Sequence, residues 1–159
     1  MKATDLVTRF ATTRFGMAVD RGCVRWLGHS IIGLLFSRLT HTAYNKPLLL
    51  TTIGAKTGLR RTVVLPFFIV DGRMAIVGSK GGLPTDPYWV SNLRANPRAW
   101  IRIDRKLQPV TAHIALAAER EPLWAATTRQ APVYIEYQRR ATTREIPVVV
   151  LTPDESRRA

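Results

Sequence analysis

The chain is short of several things, and each shortage narrows what it does. It carries one cysteine, Cys23, in 159 residues, so no internal disulfide can form and a reducing compartment fits. Its three histidines, His29, His41 and His113, lie in unrelated segments without metal-ligand spacing, which argues against a metal site. Acidic residues are scarce, 11 Asp and Glu against 24 Lys and Arg, for a formal net charge of +13 with histidine neutral. Lysine is scarce in turn: 19 of the cations are arginine, whose planar fork suits phosphate or carboxylate. The basic residues never run together beyond pairs such as Arg60-Arg61, Arg139-Arg140 and Arg157-Arg158. With no helix-turn-helix, zinc-ligand or RNP-like pattern, nucleic-acid binding as the main role is disfavoured. Long apolar runs are missing too. The stretch from Ile31 to Phe36, interrupted by Gly33, is far short of the ~20 residues that cross a bilayer. The N-terminus has neither the apolar core nor the small-residue cleavage site of a secretory signal. The expectation is a cytoplasmic protein, at most peripheral on the inner face of a membrane.

What is present is enough for a core. Apolar residues make up 46% of the chain, and a chain of about 150 residues hides roughly 68–70% of its unfolded surface on folding. The texture changes near residue 46, dividing the chain into N-terminal amphipathic helices over 1–45, a strand-rich domain over 46–151 and a polar tail over 152–159. Apolar residues at helical spacing predict helices over 3–19 and 22–40, with Cys23, Leu27, Ile31, Leu34 and Leu35 on one stripe. Lys46-Pro47 ends this region, because proline disfavours helix at the residue before it.

Strands follow. Leu48 to Ile53 is apolar and β-branched, and Thr62 to Val70 reads as a second strand. Asp71-Gly72 between apolar flanks is a strong hairpin signal, with the next strand ending at Gly78-Ser79. Asp86-Pro87 is placed to cap a helix from Tyr88 to Ala95, closed by Asn96-Pro97. Strands over 99–104 and 110–116, helices over 117–128 and 132–140, and a last strand over 146–151 complete the reading. Six strands without βαβ alternation predict a mainly β, α+β fold, an antiparallel barrel with flanking helices.

Three places could carry chemistry. Gly54-Ala55-Lys56-Thr57-Gly58-Leu59-Arg60-Arg61-Thr62 fails as a nucleotide P-loop, since Ala55 and not glycine precedes Lys56. It remains a glycine-bounded loop whose cations and amides can converge on an anion, or a solvated hairpin loop. Ser79-Lys80-Gly81-Gly82 lets backbone approach a ligand, or is a plain glycine turn. A Ser79–Lys80 nucleophile pair is disfavoured, because neighbours at a strand end point to opposite faces. Tyr134 and Tyr137 share a helix face, with Ala131 one turn earlier, and either line a site or pack against the barrel. The carboxylates Glu119, Glu121, Glu136 and Glu145 read as solvated or paired charge.

In order and spacing, Leu48 to Gly58, Arg61-Thr62, Asp71-Gly72, Gly78 to Gly82, Pro87-Tyr88-Trp89, Asn92-Leu93, Ala95-Asn96-Pro97 and Arg144 to Leu151 together resemble the deazaflavin-dependent nitroreductase family of actinobacteria. The resemblance implies a split β-barrel, like that of FMN-binding reductases, and coenzyme F420 as cofactor. It implies an oxidoreductase moving a hydride from the reduced deazaflavin to a quinone, enone or nitro compound. It assigns Ala55, Lys56, Thr57, Arg60, Arg61 and Thr62 to the coenzyme's tail and phosphate. Ser79, Lys80, Gly81, Trp89 and Asn92 fall to the phosphate, ribityl chain and ring, with Tyr134, Tyr137 and Ser79 as catalytic candidates. Where the family's well-known nitroreductases carry a further tyrosine, this chain has Ala131, which speaks against nitroimidazole reduction in particular. Related split barrels dimerise, so a homodimer is an expectation. The competing expectations are a non-catalytic F420-binding protein and a peripheral membrane protein resting on its N-terminal helices.

Overall fold

The structure, a computed structural model, describes residues 13–40 and 47–154. The expected helical residues before 13, the stretch 41–46 and the tail from 155 lie outside the described residues.

Among the described residues two helices come first, α1 (Arg14–Leu27) and α2 (Ile31–Thr40). The expected break between residues 19 and 22 is corrected, because α1 runs through it. The chain turns instead at Gly28, whose φ of +77° favours glycine. Ser30 then opens α2, its hydroxyl accepting from the Gly33 N–H at 2.8 Å and donating to the Asp20 carboxylate at 2.8 Å. The stripe expected over Cys23 to Leu35 is therefore divided between two helices.

Among the described residues seven strands, one more than expected, form one sheet in the order β2-β1-β5-β6-β7-β4-β3, with every adjacent pair antiparallel. They are β1 (Pro47–Ile53), β2 (Arg60–Pro66), β3 (Phe68–Val70), β4 (Arg73–Val77), β5 (Arg98–Ile103), β6 (Lys106–Ile114) and β7 (Val148–Pro153). The extra strand arises because the run expected over Thr62–Val70 is cut after Pro66. Pro66 ends one edge of the sheet and Phe68 begins the other, joined by Phe67 alone. Two virtual bonds reach at most ~7.6 Å, so the two edges lie side by side and the sheet must curl into a split barrel. Asp71 and Gly72, at φ +49° and +75°, make the β3–β4 turn. The break expected over 105–109 is a tight turn at Asp104-Arg105 instead, again with both φ positive.

Burial explains the strand texture. Leu48, Leu50, Ala99, Ile101, Val110, Ala112, Val149 and Leu151 point into the barrel, plugged by Trp89, Val90 and Leu93 of α3 (Tyr88–Ala95). The outer faces of β3, β4 and β7 are covered by α4 (Ala117–Gln130) and α5 (Val133–Arg140), with Leu123, Tyr134 and Ile146 between them. β7 is therefore buried on both faces from Val148 to Leu151 and reads as a continuous apolar run. β6 alternates from Val110, because its outer face stays open. Each fully buried Leu, Ile or Val contributes about 1.5–3 kcal/mol.

Candidate functional site

The glycine loop after β4 is held from far along the chain. Lys80, Gly81 and Gly82 follow one another at φ +47°, +66° and +82°, a run that costs energy wherever a side chain is present. Arg144 holds it in place. Its guanidinium donates to the carbonyls of Gly78 (3.2 Å), Ser79 (2.8 Å) and Leu83 (2.9 Å) and to the Asp86 carboxylate (2.7 Å). Asp86 thus does not cap α3 as expected. Its other oxygen takes Arg94 at 2.6 Å, and α3 starts at Pro87 without a side-chain cap.

Gly82 sets α5 against this loop. A Cβ built there would lie 2.7 Å from the Tyr137 carbonyl oxygen and 2.8 Å from Arg140 Cβ, so only glycine fits. Gly81 next to it faces open space, with no atom within 4 Å of such a Cβ. The Ser79 hydroxyl makes no hydrogen bond among the described residues. Lys80 turns away, its ammonium donating to Thr85 Oγ1 at 2.9 Å and lying 5.5 Å from the Tyr88 ring. The loop and the tyrosine helix therefore meet, and Tyr137 sits half-buried beside them.

The two tyrosines differ. Tyr134 is buried, edge-on to Phe68 (5.8 Å) and to Tyr137 (5.9 Å). Burial first, and the neighbouring Tyr137 second, push its phenol above the ordinary tyrosine range. Tyr134 is therefore the packed member of the pair, and Tyr137 the half-buried one.

The loop between β1 and β2 is split by the geometry of β2. Successive strand residues face opposite ways, so Arg61, paired with the inward Thr52, lies on the barrel-mouth side. Arg60 and Thr62 lie on the outer face. Arg60 stacks 4.3 Å over Trp100, and Thr62 shares a 2.8 Å hydrogen bond with Thr51. Lys56 and Arg61 are exposed and form no ion pair among the described residues. The Ala55 N–H is already taken by Asn92 Oδ1 at 2.9 Å, and Thr57 Oγ1 folds back toward the Leu59 N–H at 3.4 Å. Asn92 also donates to Thr52 Oγ1 at 3.0 Å, while Trp89 lies in the core at 6% exposure. Both face inward, and Asn92 supports the β1–β2 loop from beneath. α3 brings the two loops near each other, with Tyr88 beside Lys80 and Asn92 under Ala55, about 6 Å apart along the helix axis.

The structure thus sets the Ser79–Gly82 loop against the Tyr137 helix at Gly82, and α3 touches both this loop, through Tyr88, and the loop that carries Lys56, through Asn92. Arg60 and Thr62 belong to a different face, where an open groove of about 810 Å³ is floored by Trp100 and flanked by Arg98, Lys106 and Asp154. Sequence reasoning missed Arg144, Gln138 and Asp86 as supports of the loop. Arg144 lay inside a quoted motif, but its partners stand some 60 residues away, beyond any local signal.

Comparison with known proteins gives consistent relatives. The family model described as F420H(2)-dependent quinone reductase matches residues 37–153. An F420H(2)-dependent quinone reductase of Mycobacterium tuberculosis is 38% identical over 138 residues, covering 85% of each chain. A solved F420H2-dependent reductase, FDR-A, is 40% identical, with a TM-score of 0.59 over 66% of this chain and 92% of its own. A second solved chain, described as a domain-swapped dimer, is 34% identical, with a TM-score of 0.60 over 82% of this chain and 98% of its own. The heme-storage protein HutZ of Vibrio cholerae, at 14% identity and a TM-score of 0.51 over 70% of this chain and 83% of its own, shares the fold alone.

Proposed function

The chain belongs to the F420H(2)-dependent quinone reductase family, and from that premise we propose how its own residues run the reaction. The donor set suits the coenzyme. Lys56 and Arg61 are exposed cations with no ion pair among the described residues, matched to a ligand with a phosphodiester and carboxylates. When bound, the reduced deazaflavin of coenzyme F420 supplies a hydride to an electron-poor acceptor such as a quinone.

Lys56 and Arg61 hold the anionic end. Ser79 and the bare face of Gly81 let the backbone approach the rest of the ligand. Trp89 and Asn92 keep the two loops in register from below. A quinone needs one proton besides the hydride to become a hydroquinone, and Tyr137 Oη delivers it. Tyr134, too weak an acid to help, packs behind Tyr137 and excludes water. Residues 46–151 form the cofactor-binding unit in this reading.

The observation that carries the reading is the meeting of the glycine loop and the Tyr137 helix at Gly82. Tyr137→Phe tests it. The expected result is unchanged coenzyme affinity with turnover of menadione, a soluble quinone, lowered about 10²-fold; normal turnover removes the residue from the chemistry.

A second surface bears on partners. No described side chain of α2 is buried, and Ile31, Leu34, Leu35 and Leu39 are exposed together with Phe15 and Trp26 of α1. We infer that a second copy of the chain covers this face, as the relative described as a domain-swapped dimer supports. No helix among the described residues is long and apolar enough to cross a membrane. Sedimentation velocity tests the assignment: a dimer lost in Trp26→Glu supports it. A monomer that co-sediments with anionic vesicles would instead give the face to lipid.

A further inference from the structure

We propose that Arg144, anchored by Gln138, is the positioning residue that couples the glycine loop to the tyrosine helix. It rests on the reading of that loop and helix as the coenzyme site. Arg144 side-chain exposure is 11%, and its guanidinium reaches three carbonyls and one carboxylate of the segment from Gly78 to Asp86. No other described side chain makes as many bonds to that segment. The backbone of Arg144 is fixed from the opposite side. Gln138, the residue after Tyr137 on α5, donates to the Arg144 carbonyl at 2.9 Å and accepts from the Ile146 N–H at 2.8 Å.

A continuous hydrogen-bonded path therefore runs from α5 through Gln138 and Arg144 to the carbonyls beneath Ser79. The second link between the same parts is the contact of Gly82 with Tyr137. Two independent ties fix the loop relative to one helix. Lysine cannot replace arginine, because a single ammonium cannot span acceptors spread over Gly78, Ser79, Leu83 and Asp86 at once. The left-handed strain at Lys80, the one residue of the three with a side chain, gives the tie its purpose: without it, Lys80 to Gly82 relaxes and the distance between ligand and Tyr137 changes. A misplacement of about 1 Å costs hydride transfer on the order of 10²-fold.

The test uses the full chain with Arg144→Lys and Arg144→Ala, followed by melting temperature, F420 affinity by fluorescence, and kcat and KM with menadione. The expected result is a folded R144K protein with affinity for F420 lowered on the order of tenfold, kcat lowered further, and KM for the quinone unchanged. Guanidinium ion added to R144A should restore part of kcat. Combining R144K with Tyr137→Phe should give less than the product of the two separate losses. Parent-like affinity and kcat in both variants would overturn the proposal. So would losses that follow melting temperature alone and that guanidinium does not relieve. A parent chain that binds no F420 overturns the site reading and this proposal together, whereas normal parent binding with indifferent Arg144 variants overturns this proposal alone.

Discussion

Two adjacent glycines make a sharp experiment, because they share a backbone conformation and differ in what surrounds them. Gly81 and Gly82 have φ +66° and +82°, so alanine at either pays a similar left-handed penalty, about 1–2 kcal/mol. At Gly81 nothing lies within 4 Å of the new Cβ. At Gly82 it would meet the Tyr137 carbonyl oxygen at 2.7 Å, Arg140 Cβ at 2.8 Å and Tyr137 Cα at 3.1 Å. Two of these three atoms are backbone, so α5 itself must move, and overpacking of this kind adds about 1–3 kcal/mol. Gly82→Ala is therefore expected to cost about 2–5 kcal/mol, and Gly81→Ala about 1–2. In a chain of this size each kcal/mol lowers the melting temperature by about 2–4 °C, so G82A should melt roughly 4–20 °C below the parent. Binding should reverse the order of importance. G81A keeps the fold but puts a methyl group where the ligand approaches, so its F420 affinity should fall without a matching loss of stability. Thermal melting and fluorescence titration of both variants decide the matter. Equal melting temperatures, or a G82A protein as stable as the parent, would refute the docking of α5 on this loop.

Other outcomes follow from the same geometry. Asn92→Ala strands the Ala55 N–H and the fully buried Thr52 hydroxyl, so it should cost about 2–3 kcal/mol and speed amide exchange in residues 54–58. Because burial raises the Tyr134 pKa, the folded state keeps this phenol neutral where the unfolded chain ionises it near 10.0. Its contribution to stability is then complete below about pH 10 and lost as pH climbs above that, so Tyr134→Phe should flatten the alkaline fall in melting temperature; an unchanged alkaline slope counts against the burial. Replacing both Lys56 and Arg61 by alanine should weaken F420 binding about 10²-fold or more, with less effect at high salt. Unaltered affinity would take the anionic end of the ligand elsewhere.

The barrel was legible because its signals are local. The apolar run of β1, the Asp71-Gly72 turn and the Val148-Val149-Val150 run each declare themselves within a few residues. The break between α1 and α2 was misplaced because Gly22 and Gly28 look alike in sequence; only the second carries a left-handed φ. The division of β2 was hidden because closing a barrel needs a long-range decision at Phe67, where apolar texture does not change. Within the candidate site, the cations could be named from sequence but their orientation could not. The alternation of β2 was the signal that separates Arg61 from Arg60 and Thr62, and it needed only the strand to begin at Arg60. Trp89 and Asn92 carried ligand-like chemistry but lie on the inward side of α3. Arg144 could not be weighed at all, since its worth comes from acceptors on a loop that only folding brings near.

The central claim is that this basic split barrel holds coenzyme F420 through exposed cations and a glycine loop. Its most direct test is titration of the purified chain with oxidised F420, and with FMN in parallel, followed by ligand fluorescence at two salt concentrations. F420 is expected to bind with an affinity that weakens as salt rises, and FMN far less. Binding of FMN in preference to F420, or of neither, would contradict it.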